Sequence, residues 1–425
     1  MRWRALIVGA GPCGLTALKH LLQEGVAPVV ALEQADDVGG NWLYDPTGRG
    51  HSSAYASLHA ITSKGRSAFA DFPLPAEFPD YPSHRQLQAY FRAYAERFNL
   101  LPHIRFGVRV ERALPVDRGW RLWTSDGAVW ETAFLVVASG HHWAPLLPEV
   151  PGRFTGEILH AHHYRTPEVG RGKRVLVVGL GNSGADIASE MARFACAAVV
   201  SLRRGYWIVP KFLFLGLPSD EIYHRLAWLP RPLRQRLTEA VVTLYNGGPR
   251  RAGLPRPDAP VFATHPVVNS ELLLHLRHGR IAVRPDIARF DGNEVVFVDG
   301  RREPYDLVIF ATGYAPRVPY LPAEFDPTGP ALERLYLRIF PLDGSPLAFV
   351  GLIQPNGCLW NLAERQAQLV ARHLSGRWQL PPDAAARTAR EWAAHRRRYV
   401  ASPRHRLEVD WHDYERALRR ALAGR

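Results

Sequence analysis

An α/β fold with two Rossmann-like dinucleotide-binding domains is predicted by three observations. A Gly-rich turn stands between an apolar strand and an amphipathic helix within residues 5–22. The same arrangement returns within residues 174–190. The chain of 425 residues is 47% hydrophobic, enough apolar material for two or three buried cores.

The first unit opens with Ala5-Leu6-Ile7-Val8, apolar at every position, as a parallel strand covered on both faces must be. The turn Gly9-Ala10-Gly11-Pro12-Cys13-Gly14 and an amphipathic helical run follow. Gly9 permits the tight bend, Gly11 lets a pyrophosphate approach the backbone, and Gly14 lets the helix pack on the strand. The helix then directs its positive end at the phosphates. A second strand, 29–32, leads to Glu33, about 20 residues past the last glycine, where a carboxylate accepts hydrogen bonds from ribose hydroxyls. An acid there selects an adenosine with free ribose hydroxyls, as in FAD.

The second unit repeats the order: strand 174–178, turn Gly179-Leu180-Gly181-Asn182-Ser183-Gly184, a helix, and strand 198–202. Its ribose-reading position is Arg203, followed by Arg204. Two guanidiniums pair with a 2′-phosphate, so this unit is expected to take NADPH. The other reading of the pair is a solvated basic patch. Two such units fit a flavoprotein reduced by a nicotinamide. The three cysteines, Cys13, Cys196 and Cys358, form no Cys-x-x-Cys, which argues against a disulfide relay or a Cys-based metal site.

Between and after these units the signals weaken. Residues 86–98 carry Leu87, Tyr90, Phe91 and Tyr94 on one helical face. Residues 212–260 read as irregular and rich in Pro, Arg and aromatics. Within them 213–218 is apolar: a core role is favoured over a substrate channel or a peripheral membrane contact. The tail 383–425 reads as amphipathic helix, and no low-complexity tract or short repeat stands out. The net charge of +13 comes mostly from dispersed arginines, so no nucleic-acid partner is expected. No apolar run reaches membrane-spanning length, and the chain reads as cytoplasmic. The histidines at 141, 142, 160, 162 and 163 lack metal-ligand spacing and an adjoining carboxylate cluster, so no metal is expected.

Several further segments are distinctive: Val38-Gly39-Gly40-Asn41-Trp42, the F-x-G-x-x-x-H-x-x-x-[FY] pattern from Phe154 through Gly156 and His160 to Tyr164, Gly205-Tyr206-Trp207, Ala311-Thr312-Gly313-Tyr314, and 349–355 ending in Gln354-Pro355. With both fingerprints in order, the chain resembles the flavin-containing monooxygenase family almost end to end. The resemblance implies a discontinuous FAD domain (1–164 and 311–425) with the NADPH domain (165–310) inserted. Gly40, Asn41, Trp42, Asn182, Ser183, Thr312, Gly313 and Gln354 join the glycines, Glu33 and the arginines as expected cofactor contacts. The stretch Tyr55-Ala56-Ser57-Leu58-His59-Ala60-Ile61-Thr62-Ser63-Lys64 resembles the family's segment at the flavin, which marks Tyr55, Ile61 and Ser63 as expected catalytic residues. The family has asparagine where this chain has Ile61. Tyr164 departs from the tryptophan usual in related Baeyer–Villiger enzymes.

The implied activity is that of a monooxygenase consuming NADPH and O2. It would form a C4a-(hydro)peroxyflavin and oxygenate the nitrogen or sulfur of a small nucleophile. Three alternatives stay open on the sequence: an NADPH oxidase releasing hydrogen peroxide, a ketone oxygenase, and a non-catalytic redox sensor. A homodimer is compatible with the sequence.

Overall fold

The computed structural model describes residues 2–48, 50–402 and 405–424. Two five-stranded parallel sheets organise them. In the first, Ala5–Val8 lies between Val29–Leu32 and Leu135–Val137, with Ile104–Arg105 and Leu347–Phe349 at the edges. In the second, Arg174–Val178 lies between Ala197–Ser201 and Leu307–Phe310, with Ile281–Arg284 and Glu157–His160 at the edges.

The units repeat each other beyond their fingerprints. Each inserts three antiparallel strands before its return strand: Val110–Val116, Gly119–Thr124 and Val129–Thr132 in the first, where Arg2–Trp3 adds a fourth strand in parallel, and Ile287–Asp291, Glu294–Phe297 and Arg302–Pro304 in the second. Each return strand runs into a similar turn, Ala138-Ser139-Gly140 or Ala311-Thr312-Gly313. The first sheet also takes its edge strand Leu347–Phe349 from beyond the second unit, so the chain crosses into that unit and returns.

Burial follows the apolar pattern. Ala5–Val8 and Leu307–Phe310 are buried at every residue. Leu15, Leu18 and Leu21 of helix Pro12–Gln23 share one core with Leu362, Ala363 and Val370 of helix Leu359–Leu374. Helix His84–Arg97 begins two residues before its expected start, because Ser83 and Gln86 form a reciprocal capping box. Leu87, Tyr90, Phe91 and Tyr94 are buried on it.

Two expectations need correction. Residues 212–260 are not irregular throughout: they hold helices Ser219–Arg225 and Arg231–Asn246, each preceded by a proline at its N-cap, where the lost N–H costs nothing. Nor does the apolar run 213–218 serve the core as a block. Leu213 is buried, but the chain turns through Leu215 at φ +61°, which leaves that side chain 96% exposed.

The tail forms helices Ala384–Arg398 and Trp411–Leu422. Between them Glu408–Val409 pairs in parallel with Gln354–Pro355. Among the described residues no helix is long and apolar enough to cross a membrane.

Candidate functional site

The two fingerprint turns are built alike. Gly9 has φ +102°, and a Cβ there would stand 2.7 Å from the Ala138 carbonyl oxygen. Gly179 has φ +93°, with the Ala311 carbonyl oxygen 2.8 Å from the same position. A Cβ on Gly14 or Gly184 would come within 1.9 or 2.3 Å of the carbonyl oxygen of its own first glycine. Gly11 and Gly40 face each other, so that a Cβ on Gly11 would lie 3.3 Å from the Gly40 Cα. Both helices start from glycine, Gly11 and Gly181, with no side-chain cap on their first N–H groups. Those N–H groups suit a phosphate.

Glu33 is buried. Its carboxylate accepts from the N–H groups of Ala10 at 2.6 Å and Ala35 at 2.9 Å. Burial raises its pKa against the pull of those N–H groups. Charge-assisted hydrogen bonds from ribose hydroxyls would serve the same carboxylate.

A cavity of about 910 Å³ runs from this end, past Gly9, Gly11, Glu33, Gly40, Asn41, Trp42 and Ile61, to Gln354 and on to the helices of 219–246. Its volume, glycine floor and ribose acid fit a flavin dinucleotide. Asn41 fixes its own loop there: its Oδ1 accepts from the Ser53 N–H at 2.9 Å. Trp42 is braced edge-on by Trp360, with ring centroids 5.7 Å apart. The thiols of Cys13 and Cys358 are on the cavity wall, both pushed up to about 12 by burial, so neither is a thiolate near neutral pH.

Of the three residues expected at the chemistry, only Ile61 is on the wall. The Tyr55 hydroxyl donates to Asp186 Oδ2 at 2.5 Å, on the second fingerprint helix. Ser63 is buried and gives its backbone N–H to Asp220 Oδ2 at 2.7 Å. Thr312 and Gly313 belong to the second turn, where the Thr312 hydroxyl donates to the Leu146 carbonyl.

The second fingerprint is outside this cavity wall. Asn182 is held structurally, accepting from the Val268 N–H at 2.7 Å and donating to the Pro266 carbonyl at 3.2 Å. Ser183 opens the same helix. Arg203 is exposed, whereas Arg204 reaches His405 Nε2 at 3.0 Å.

The F-x-G-x-x-x-H-x-x-x-Y pattern serves structure. A Cβ on Gly156 would strike the Phe154 ring at 2.7 Å. His160 packs edge-on to Tyr314, with centroids 5.4 Å apart, and Tyr164 donates its hydroxyl to Glu190. The pattern therefore ties the linker to the second fingerprint helix.

Two groups of wall residues were not expected from sequence. Residues 138–143 form one; their Ala-Ser-Gly start echoes Ala-Thr-Gly, a signal available in the chain. His141 and His142 meet Gln354 Oε1 at 2.9 and 3.1 Å, which draws the 351–360 wall to them. The helical segment 219–246 is the other, with no local motif to announce it.

The flavin-binding monooxygenase-like family matches residues 2–423. Flavin-containing monooxygenase 5 of Oryctolagus cuniculus is 32% identical over 441 residues, which span 96% of this chain and 80% of that protein. Dimethylaniline monooxygenase [N-oxide-forming] 2 of Pan troglodytes is 34% identical over 405 residues, spanning 90% and 75%. The S-allyl-L-cysteine S-oxygenase of Allium sativum shares the fold at a TM-score of 0.70 and 22% identity, covering 100% of this chain and 89% of its own.

Proposed function

Because the chain belongs to the flavin-binding monooxygenase-like family, we propose that its cavity brings the nitrogen or sulfur of a small nucleophile to a bound flavin for oxygenation. The enzyme is a flavin-dependent monooxygenase that uses FAD, NADPH and O2. One observation carries the finer reading: a single cavity continues from the Gly11 and Glu33 end into a chamber walled by residues 213–262. When bound, FAD and NADPH supply the hydride and oxygen-transfer chemistry, so the chain needs no catalytic dyad of its own.

The residues divide by task. Gly9, Gly11, Gly14 and the uncapped helix start hold the FAD pyrophosphate, and Glu33 holds its ribose. Gly40, Asn41 and Trp42 close over the dinucleotide, and Gln354 fixes the opposite wall through His141 and His142. Gly179, Gly181, Gly184, Asn182, Ser183, Thr312 and Gly313 shape the NADPH turn, and Arg203 and Arg204 pair with the 2′-phosphate. Ile61 forms an apolar wall. Tyr55 and Ser63 are positioning residues, Tyr55 through Asp186 and Ser63 through Asp220.

The Pan troglodytes relative is named for N-oxide formation and the Allium sativum enzyme for S-oxygenation. Both support a soft heteroatom as the acceptor. The domain division follows the chain crossing, with 165–310 as the NADPH unit and Glu157–His160 lending its sheet an edge. Leu215, Trp228 and Leu244, 96%, 78% and 78% exposed, offer a peripheral apolar surface to a membrane or a second copy.

The test is product analysis. Purified FAD-loaded enzyme is mixed with NADPH under air and a panel of amines, thioethers and ketones, with oxygenated product and hydrogen peroxide both quantified. N-oxides or sulfoxides in proportion to NADPH consumed are expected. Peroxide alone, or esters from the ketones with no heteroatom product, would overturn the reading.

A further inference from the structure

Beyond the flavin end, the cavity enters a chamber with walls of Leu213, Ile222, Leu226, Val241, Val242 and Phe262. Several of its polar groups are engaged within the protein. The Tyr223 hydroxyl donates to Asp410 at 3.1 Å and accepts from Asn356 Nδ2 at 2.9 Å. The Thr238 hydroxyl donates to the Arg234 carbonyl at 2.9 Å. Asp220 differs. It lines the cavity, and its two oxygens accept from the backbone N–H groups of Ser63 at 2.7 Å and Glu221 at 3.0 Å. Both donors are neutral. Among the described residues no lysine, arginine or histidine makes an ion pair with it; the nearby Arg66 is engaged by Glu221 at 2.6 Å.

We propose that Asp220 is the substrate-selecting residue of this chamber, and that the substrate is an amine, cationic near neutral pH, with an apolar body. The inference rests on the monooxygenase reading and narrows it. A carboxylate on an apolar wall without a counter-ion is costly, and a ligand ammonium removes that cost where a neutral ligand does not. The leucine, valine and phenylalanine walls take the apolar body. Ser63, next to Thr62 and Ile61 on the flavin-side wall, holds the carboxylate at the junction of chamber and flavin end. An ammonium has no free lone pair. Transfer of its N–H proton to the carboxylate breaks one N–H bond, forms one O–H bond and leaves the lone pair on nitrogen, with no further reactant. Burial already favours the protonated carboxyl, which makes that transfer easier.

The experiment uses FAD-loaded enzyme and three benzyl compounds of similar shape. N,N-dimethylbenzylamine and benzyl methyl sulfide are substrates; benzyltrimethylammonium is a permanent cation that cannot react. Asp220→Asn keeps the shape and one acceptor oxygen, puts an NH2 donor where the second oxygen stood, and removes the charge. It should raise KM for the amine at least tenfold and leave the sulfide within twofold. Benzyltrimethylammonium should bind the native enzyme calorimetrically at least tenfold more tightly than Asp220→Asn. Glu168→Gln, which removes an exposed charge away from the cavity wall, should leave the amine-to-sulfide ratio unchanged. Equal losses for amine and sulfide, or an unaltered amine KM, would overturn the proposal. Should Asp220→Asn fail to retain FAD, the native enzyme decides alone: neopentylbenzene, the neutral isostere of the quaternary cation, should bind at least tenfold more weakly, and equal binding refutes the idea. If neither substrate is oxygenated, the monooxygenation reading fails while the calorimetry still judges Asp220.

Discussion

Gly11 meets two constraints at once. Its missing Cβ leaves room for the pyrophosphate, and it also lets the first turn lie against Gly40, whose Cα is 3.3 Å from where that Cβ would stand. Gly11→Val therefore pushes the Gly40-Asn41-Trp42 loop away as well as crowding the phosphates. The purified variant is expected to lose its flavin, measured as absorbance near 450 nm per protein (~450 nm is the usual flavin band). Stoichiometric FAD in the variant would show the dinucleotide to be elsewhere. Ile61 poses the opposite question, because it puts hydrocarbon where relatives by resemblance carry an amide. An asparagine can donate and accept hydrogen bonds at the cavity wall; isoleucine can do neither. One such contact contributes about 0.5–1.5 kcal/mol net. We predict that Ile61→Asn lowers the hydrogen peroxide released per NADPH and raises oxygenated product. More peroxide from the variant would mean that Ile61 protects the chemistry by keeping its wall dry.

At the scale of elements, the fold was legible where its determinants are local. A glycine turn, a four-residue apolar strand and a ribose-reading residue lie within one short stretch, so both nucleotide units could be read directly. The substrate end could not. Its wall joins residues near 61, 141, 220, 265 and 355, and only tertiary packing brings them together. Helix Arg231–Asn246 shows why it read as irregular: its arginines and prolines look like loop, yet Arg234 is buried and pairs with Asp410 at 3.0 Å. Asp410 also caps helix Trp411–Leu422, accepting from the Asp413 N–H at 3.1 Å. One carboxylate thus fastens the chamber helix to the C-terminal helix. Asp410→Ala strands a buried guanidinium, and breaking a buried pair costs about 3–5 kcal/mol. The expected result is a lower Tm and faster proteolysis within 212–260. Replacing both partners, Asp410→Leu with Arg234→Met, should recover part of the loss. A single variant within ~1 kcal/mol of native would show that the pair contributes little.

Across the whole molecule, buried histidines set the response to acid. His160, His162, His395 and His412 are each lowered from the ordinary 6.5 to about 4, and His224 to about 3, in every case chiefly by burial. They stand at distant points: the linker, the chamber helix and the tail. The folded state keeps each ring neutral, whereas the unfolded chain protonates it below about 6.5. Unfolding therefore takes up protons between about pH 6.5 and 4, and stability falls as the pH drops through that window. Asp410 and Glu408, held below the usual carboxylate range despite burial, lose their contribution in the same direction at still lower pH. Glu33, Asp186 and Glu190 are shifted upward and oppose the trend, because the fold favours their protonated forms. His51, His84, His141, His275 and His373 are lowered as well, so the histidines outnumber the raised carboxylates and set the direction of the change. The prediction is a Tm steady above pH 7 and declining continuously from about pH 6.5 toward 4, with net proton uptake on unfolding seen as a buffer-dependent calorimetric enthalpy. His412→Phe and His395→Phe should each flatten the decline without lengthening the plateau. A Tm unchanged between pH 7 and 5 would mean that these rings are protonated in the fold, and that their surroundings are wetter than the packing around Tyr223, Trp392 and Tyr399 indicates.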